Sequence, residues 1–118
     1  MRFRPEQHLR RQNDIRAVRE RGFRTDCTSF VLWARRRDDG AALAHPRAGV
    51  VASSASVGGA VARNRAKRRL RELFRRHQSR VPTEYDLLLV ARTPVRRASY
   101  PELERAFAAA CARLASHA

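Results

Sequence analysis

The sequence predicts an α+β fold in a single small domain, with helices packed on a small mixed central sheet in the order α-β-β-α-β-α. Two observations predict it. Apolar residues recur at helical spacing in two long segments, and three short segments are rich in β-branched, aromatic and aliphatic residues. The length of 118 residues suits one domain, residues 1–118, and 43% hydrophobic residues suffice for one core. We expect residues 1–12 to be partly extended.

Each element has its own signal in the sequence. A short helix ends at Arg21, with Gly22 as its predicted left-handed stop. The last helix begins with a capping box, Ser99 and Glu102, around Pro101 in its first turn. Between these helices we predict a strand at 29–34, a charged loop to residue 40, a strand at 48–52, a small-residue segment at 53–59, a long helix at about 59–77 and a buried strand at 85–91.

The charge of the chain favours a polyanionic partner. The net charge is +15, from 26 basic and 11 acidic residues. Every basic residue except Lys67 is arginine, which binds phosphate in bidentate fashion and stacks on bases. A GC-rich genome would give the same bias, so the positions of the arginines matter more than their number.

Other classes of protein are disfavoured. Charged residues rather than an apolar stretch follow the N-terminus, so we expect no signal peptide. The longest apolar run, 87–91, is too short to cross a bilayer. Cys27 and Cys111 are too few and too far apart for a metal framework or a redox pair, and they suit a reduced, cytoplasmic setting.

The long helix concentrates positive charge. At about 100° per residue, one arc of roughly 120°, the predicted core face, holds Ala62, Ala66, Leu70, Leu73, Phe74 and His77. A second arc holds Asn64, Lys67, Arg68, Arg71 and Arg75, with Arg63 at its edge. A third holds Arg65, Arg69 and Arg76 with Glu72, the only acid between Arg63 and Arg76.

Two cationic faces on one helix are unusual for a surface helix, which ordinarily mixes charges of both signs. A polyphosphate partner would relieve the repulsion between them. Asn64 both donates and accepts, so it suits a base edge or a 2′-hydroxyl. The alternatives are a merely solvated basic helix and an ordinary exposed asparagine.

The ordered set of motifs resembles the bacterial ribonuclease P protein family over nearly the whole chain. Arg63-Asn64-Arg65 with Lys67 to Arg71, preceded by Val57 to Val61, is similar to the signature of that family. Further matches are the segments 9–22, 47–51, 86–92 and 99–103. The segment 53–57 departs from the usual Ser-Lys-Lys pattern, and we assign no site there.

The resemblance implies a ribosomal-protein-like fold and a role as the protein subunit of ribonuclease P. In this family the RNA subunit, with Mg²⁺, cleaves precursor tRNA at its 5′ end, and the protein itself binds no cofactor. The expected partners are the RNA subunit and precursor tRNA, with no membrane and no DNA. The residues implied to bind the RNA subunit are Arg63, Asn64, Arg65, Lys67, Arg68 and Arg71.

The family also holds the 5′ leader of precursor tRNA in a central cleft. The candidates here are Ile15, Arg19, Phe30 and Trp33. Two aromatic residues are common on the first helix of the family, but Ile15 and Arg19 occupy those positions. Trp33 is therefore the best candidate for stacking on a base, and its alternative role is packing on the sheet.

Three rival functions remain at the level of sequence. Catalysis by the protein itself is disfavoured, because the four histidines are scattered and no spacing indicates a metal site or a nucleophile–base pair. A ribosomal-type RNA binder is not separated by fold or composition, and only the motif set favours ribonuclease P. DNA binding is weaker, since no recognition-helix pair or basic zipper is apparent.

Overall fold

A computed structural model describes residues 12–37 and 46–117, with side chains described for 15–37 and 46–116. The expectation for residues 1–12 therefore lies almost wholly outside the described residues. The helices and strands are α1 (Gln12–Arg21), β1 (Phe23–Asp26), β2 (Phe30–Arg36), β3 (Arg47–Val51), α2 (Ser54–Val57), α3 (Ala60–His77), β4 (Tyr85–Ala91) and α4 (Tyr100–His117), with 3-10 helices at Gln78–Arg80 and Thr93–Arg96.

The four strands form one mixed sheet in the order β1-β2-β4-β3. The pairs β1–β2 and β2–β4 are antiparallel, whereas β3 runs parallel to β4. Because side chains alternate along a strand, the sheet has two distinct faces. The core face carries Phe30, Leu32 and Leu87, and the opposite face, called the α1 face below, carries Trp33 and Leu88.

Helices α3 and α4 cover the core face. Leu70, Leu73 and Phe74 of α3 and Phe107 of α4 have no exposed surface and join one cluster with the strands. The apolar arc predicted for α3 is therefore confirmed. Helix α4 begins where the capping box indicated, since the Ser99 hydroxyl accepts a hydrogen bond from the Glu102 amide at 3.2 Å.

Helix α1 packs on the other face of the sheet, against β2 and β4. Val18 and Leu88 are fully buried between them, with Ile15 and Trp33 packed alongside. The sheet is thus covered on one face by two long helices and on the other by one short helix.

The α+β fold with a mixed sheet is confirmed, but the predicted order omitted one strand and one short α-helix, in addition to the two 3-10 helices. The segment Phe23–Asp26 is a short edge strand, and Ser54–Val57 forms one helical turn within the small-residue segment. That turn is capped by the Ser53 hydroxyl, which accepts from the Ser56 amide at 3.2 Å.

Gly22 is required for a different reason from the one predicted. It is not in the left-handed region; the described glycine with positive φ is Gly58, at 112°. A Cβ at Gly22 would lie 2.3 Å from the Val18 carbonyl oxygen and 2.5 Å from that of Ala34. Only glycine lets α1 end this close to β2, so the residue sets the position of α1 on the sheet.

A buried carboxylate joins three strand ends on the α1 side. Asp86, with no exposed surface, accepts from Arg37 Nη1 at 2.6 Å and from Arg47 Nε and Nη2 at 2.9 and 2.8 Å. Arg37 also donates to the carbonyls of Thr83 and Tyr85. These bonds connect the end of β2 with the starts of β3 and β4.

Two further results concern membranes and thiols. No helix in the described part of the chain is long and apolar enough to span a membrane. Cys27 and Cys111 are free and buried. Burial raises the pKa of Cys27 to about 11 and that of Cys111 to about 12, so both thiols remain protonated at neutral pH.

Candidate nucleic-acid interface

Helix α3 places its cations in distinct environments. On the flank that faces α4, Arg69 is half-buried and donates to the carbonyls of Val95 at 2.6 Å and Ala98 at 2.5 Å. Arg76 lies on the same flank, with its guanidinium carbon 5.5 Å from the centre of the Tyr100 ring. These arginines stabilise the fold, because they attach α3 to the segment that leads into α4.

Glu72 neutralises the end of the helix. It accepts hydrogen bonds from Arg75 and, at 2.8 Å, from Arg76. The hydrogen bond from Arg75, assisted by Arg76, lowers the pKa of Glu72 from 4.5 to about 2. Glu72, the only acid between Arg63 and Arg76, is thus engaged by two arginines of the last turn.

The outward arc of α3, defined as Asn64, Lys67, Arg68 and Arg71, is different. Asn64, Arg68 and Arg71 are exposed and Lys67 is half-buried. None of the four forms an ion pair with any residue that the structure describes. The arc therefore presents three positive charges and one amide to solvent, an arrangement suited to a phosphate backbone.

The other two predicted residues of the motif flank this arc. Arg63 is half-buried, and its Nε is buried without a hydrogen-bond partner among the described atoms. Arg65 is exposed near the start of the helix, on the side towards the Thr93–Arg96 3-10 helix. The structure thus gathers all six predicted residues along three turns of one helix, while their contacts with RNA remain a prediction.

The α1 face holds three of the four predicted cleft residues. Ile15 and Trp33 are half-buried in the cluster around Leu88, with Val51 and Val90 beside them. Arg19, four residues after Ile15, is exposed on α1. An aromatic side chain therefore lies beside an arginine-bearing helix, which is the combination that single-stranded nucleic acids require.

Phe30 does not belong to this group, and its assignment to the cleft is wrong. It has no exposed surface and packs in the core under α3 and α4. The reason is the period of two along β2, which directs Phe30 and Leu32 to the core face and Val31 and Trp33 to the α1 face.

The strand pairing adds residues that the sequence did not single out. Arg24 is the cross-strand partner of Trp33 on β1 and is exposed at the same face. Arg35, two residues along β2 from Trp33, also lies on this face and is half-buried. Because the short strand β1 was not predicted, no local pattern indicated that Arg24 flanks the tryptophan.

Comparison with known proteins gives a consistent family. The model of the family Ribonuclease P matches residues 3–115. A ribonuclease P protein component from Syntrophobacter fumaroxidans is 39% identical over 92 residues, covering 77% of this chain and 73% of that protein. One from Brevibacillus brevis is 34% identical over 97 residues, covering 82% and 74%.

Solved structures share the fold. The ribonuclease P protein of Staphylococcus aureus superposes with a TM-score of 0.73 at 23% identity, covering 92% of this chain and 94% of the other. That of Thermotoga maritima gives 0.75 at 24% identity, covering 90% and 96%. The mixed sheet with its helices is therefore the architecture of these proteins too.

Proposed function

This chain belongs to the ribonuclease P protein family, and on that basis we propose that the outward arc of α3 and the α1 face have separate roles in 5′-end maturation of tRNA. The protein is a subunit of an endoribonuclease. The outward arc of α3 binds the RNA subunit, and the α1 face binds the single-stranded 5′ leader of precursor tRNA. The observation that carries the proposal is the cationic arc, which has no counter-charge among the described residues.

The RNA subunit is the partner best suited to α3. The helix that carries the arc is held in place, because its opposite side is fixed by fully buried leucines and by Phe74. A fixed helix backbone suits a folded RNA, since only the side chains of the arc, and not the backbone, have to be ordered on binding. Asn64 adds a group that recognises a base edge or a 2′-hydroxyl.

The α1 face suits a short single strand. Trp33 offers a ring on which a base stacks, Arg24 lies beside it on β1, and Arg19 on α1 is a further exposed cation for the phosphates. Arg19 replaces an aromatic residue that is common in the family. We therefore expect leader binding here to depend more on salt than stacking alone would.

Catalysis is assigned to the RNA subunit with Mg²⁺, and the protein supplies binding only. Within the described residues no group of three or more His, Cys, Asp or Glu side chains is placed to hold a metal ion. The proposed partners are the RNA subunit and precursor tRNA, in the cytoplasm, with no role for DNA or a membrane.

Reconstitution tests the proposal. The protein is combined with a bacterial ribonuclease P RNA and precursor tRNA at a Mg²⁺ concentration too low for the RNA alone. We expect restored cleavage at the mature 5′ end, and no cleavage by the protein with Mg²⁺ in the absence of the RNA. Specific cleavage by the protein alone would assign catalysis to it, and recovery of ribosomal RNA alone in a pull-down would favour a ribosomal role.

A further inference from the structure

A pocket lies between the start of α3 and the Thr93–Arg96 3-10 helix, outside both surfaces assigned above. Its volume is about 510 Å³, within the range of roughly 300–1,000 Å³ that is usual for sites of small organic groups. Ala62, Ala66 and Val95 give it an apolar lining. The pocket is therefore suited to a flat, weakly polar group rather than to a bare ion.

The rim of the pocket is cationic. Arg65, Arg69 and Arg96 line it, and no acidic residue does. Arg69 is held by two carbonyls, whereas Arg65 and Arg96 are exposed and form no ion pair with a described residue. The Arg96 guanidinium lies over the segment that enters α3: its Nη1 is 3.7 Å from the position that a Cβ at Gly58 would occupy.

Val61 links the pocket to the outward arc of α3. It lines the pocket, and with 78% of its surface exposed it is the exposed large hydrophobic residue of the described chain. Arg65 and Arg68 follow it at spacings of four and seven residues, so the three side chains lie in one row along the helix. An RNA strand that runs along the outward arc of α3 therefore reaches the mouth of the pocket without a change of direction.

We propose that this pocket binds the base of one unstacked nucleotide of the RNA that docks on α3, with Arg65 and Arg96 on the phosphates beside it. A nucleotide has an apolar base face for the lining and carries its charge on the phosphate, outside the pocket, where the arginines are. An apolar peptide would fill the lining but leave both arginines without a counter-charge. The inference rests on the proposed function, since it requires that α3 bind the RNA subunit.

Paired variants test the two halves of this site. Arg96→Ala removes a rim charge, and Arg97→Ala removes a neighbouring exposed charge that does not line the pocket. Gly59→Leu adds a side chain at the pocket wall, and Gly59→Ala is its control, because a Cβ at Gly59 meets no atom within 4 Å. Each variant is titrated with ribonuclease P RNA over a range of salt, and the Watson–Crick edges of the bases are probed with dimethyl sulfate and carbodiimide.

We expect Arg96→Ala to weaken binding about tenfold, as for one charge-assisted contact, and to lower the salt slope by about 0.7. Gly59→Leu should weaken binding with the salt slope unchanged, and both variants should make the same single base reactive. If no base becomes reactive in either variant, or if Arg97→Ala weakens RNA binding as much as Arg96→Ala does, the pocket proposal is overturned. Binding of the RNA subunit to the outward arc would be unaffected by that result. Failure of the unaltered protein to bind the RNA would remove the proposed function itself.

Discussion

Two adjacent arginines on α3, Arg68 and Arg69, should separate RNA binding from stability. Arg69 donates to the carbonyls of Val95 and Ala98 at 2.6 and 2.5 Å, and Val95 has no exposed surface. A net hydrogen bond to a charged group is worth about 1.5–3 kcal/mol, and the half-exposure of Arg69 reduces this. Arg69→Ala should therefore cost about 2–4 kcal/mol and lower Tm by roughly 10 °C.

Arg68→Ala makes the same chemical change one residue earlier, at an exposed position without a described partner. Its stability should stay within about 0.5 kcal/mol of the parent, while the salt slope for binding the RNA subunit falls by about one. Urea denaturation and salt-dependent RNA binding of both variants measure the two properties. An Arg69→Ala protein that lowers the slope as much as Arg68→Ala does and keeps the parent's free energy of unfolding would contradict this division of roles.

Three further outcomes are expected. Trp33→Ala should reduce the preference for precursor over mature tRNA about tenfold, because one stacked base is worth roughly 1–3 kcal/mol; Trp33→Leu should fail to restore it, and recovery by leucine would mean that Trp33 only packs. Asp86→Asn leaves the buried Arg37 and the half-buried Arg47 without their counter-charge and should cost about 3–5 kcal/mol in urea denaturation. Asp26→Asn, at a carboxylate with 55% of its side chain exposed and its nearest cation 3.8 Å away, should cost under about 0.5 kcal/mol, and equal costs would argue against the buried cluster. The pKa of Glu72 is lowered, so the stabilisation by its ion pairs is present above pH 4.5 and is lost as the pH falls towards 2. Glu72→Gln should cost under about 1 kcal/mol at neutral pH, and denaturation curves should show that this cost shrinks below pH 4.5. A cost that stays the same at every pH would contradict this prediction.

Local signals in the sequence were sufficient for the long elements. The apolar spacing of α3, the strand 85–91 and the capping box at Ser99 all depend on residues near one another in the chain, and the structure places these elements within one or two residues of the prediction. The edge strand at 23–26 was missed because four residues, two of them charged, give no alternation long enough to recognise.

The candidate sites also differ in whether a local pattern in the sequence predicts them. The outward arc of α3 follows from the helical period alone, so it was predictable. The cluster around Asp86 joins residues 39 and 49 positions apart, which no local pattern connects. The assignment of Phe30 to the cleft is wrong for a local reason: a spacing of three residues from Trp33 along a strand places the two side chains on opposite faces of the sheet.

The sheet explains why the two proposed RNA contacts remain separate. Helix α3 lies on the core face and Trp33 on the α1 face, so the sheet and the fully buried Phe30, Leu32 and Leu87 stand between them. A close-packed core of this kind has low compressibility. In the proposed complex it would act as a rigid spacer, so we expect the RNA subunit and the 5′ leader to be held at a fixed distance that is set by the two faces of one sheet.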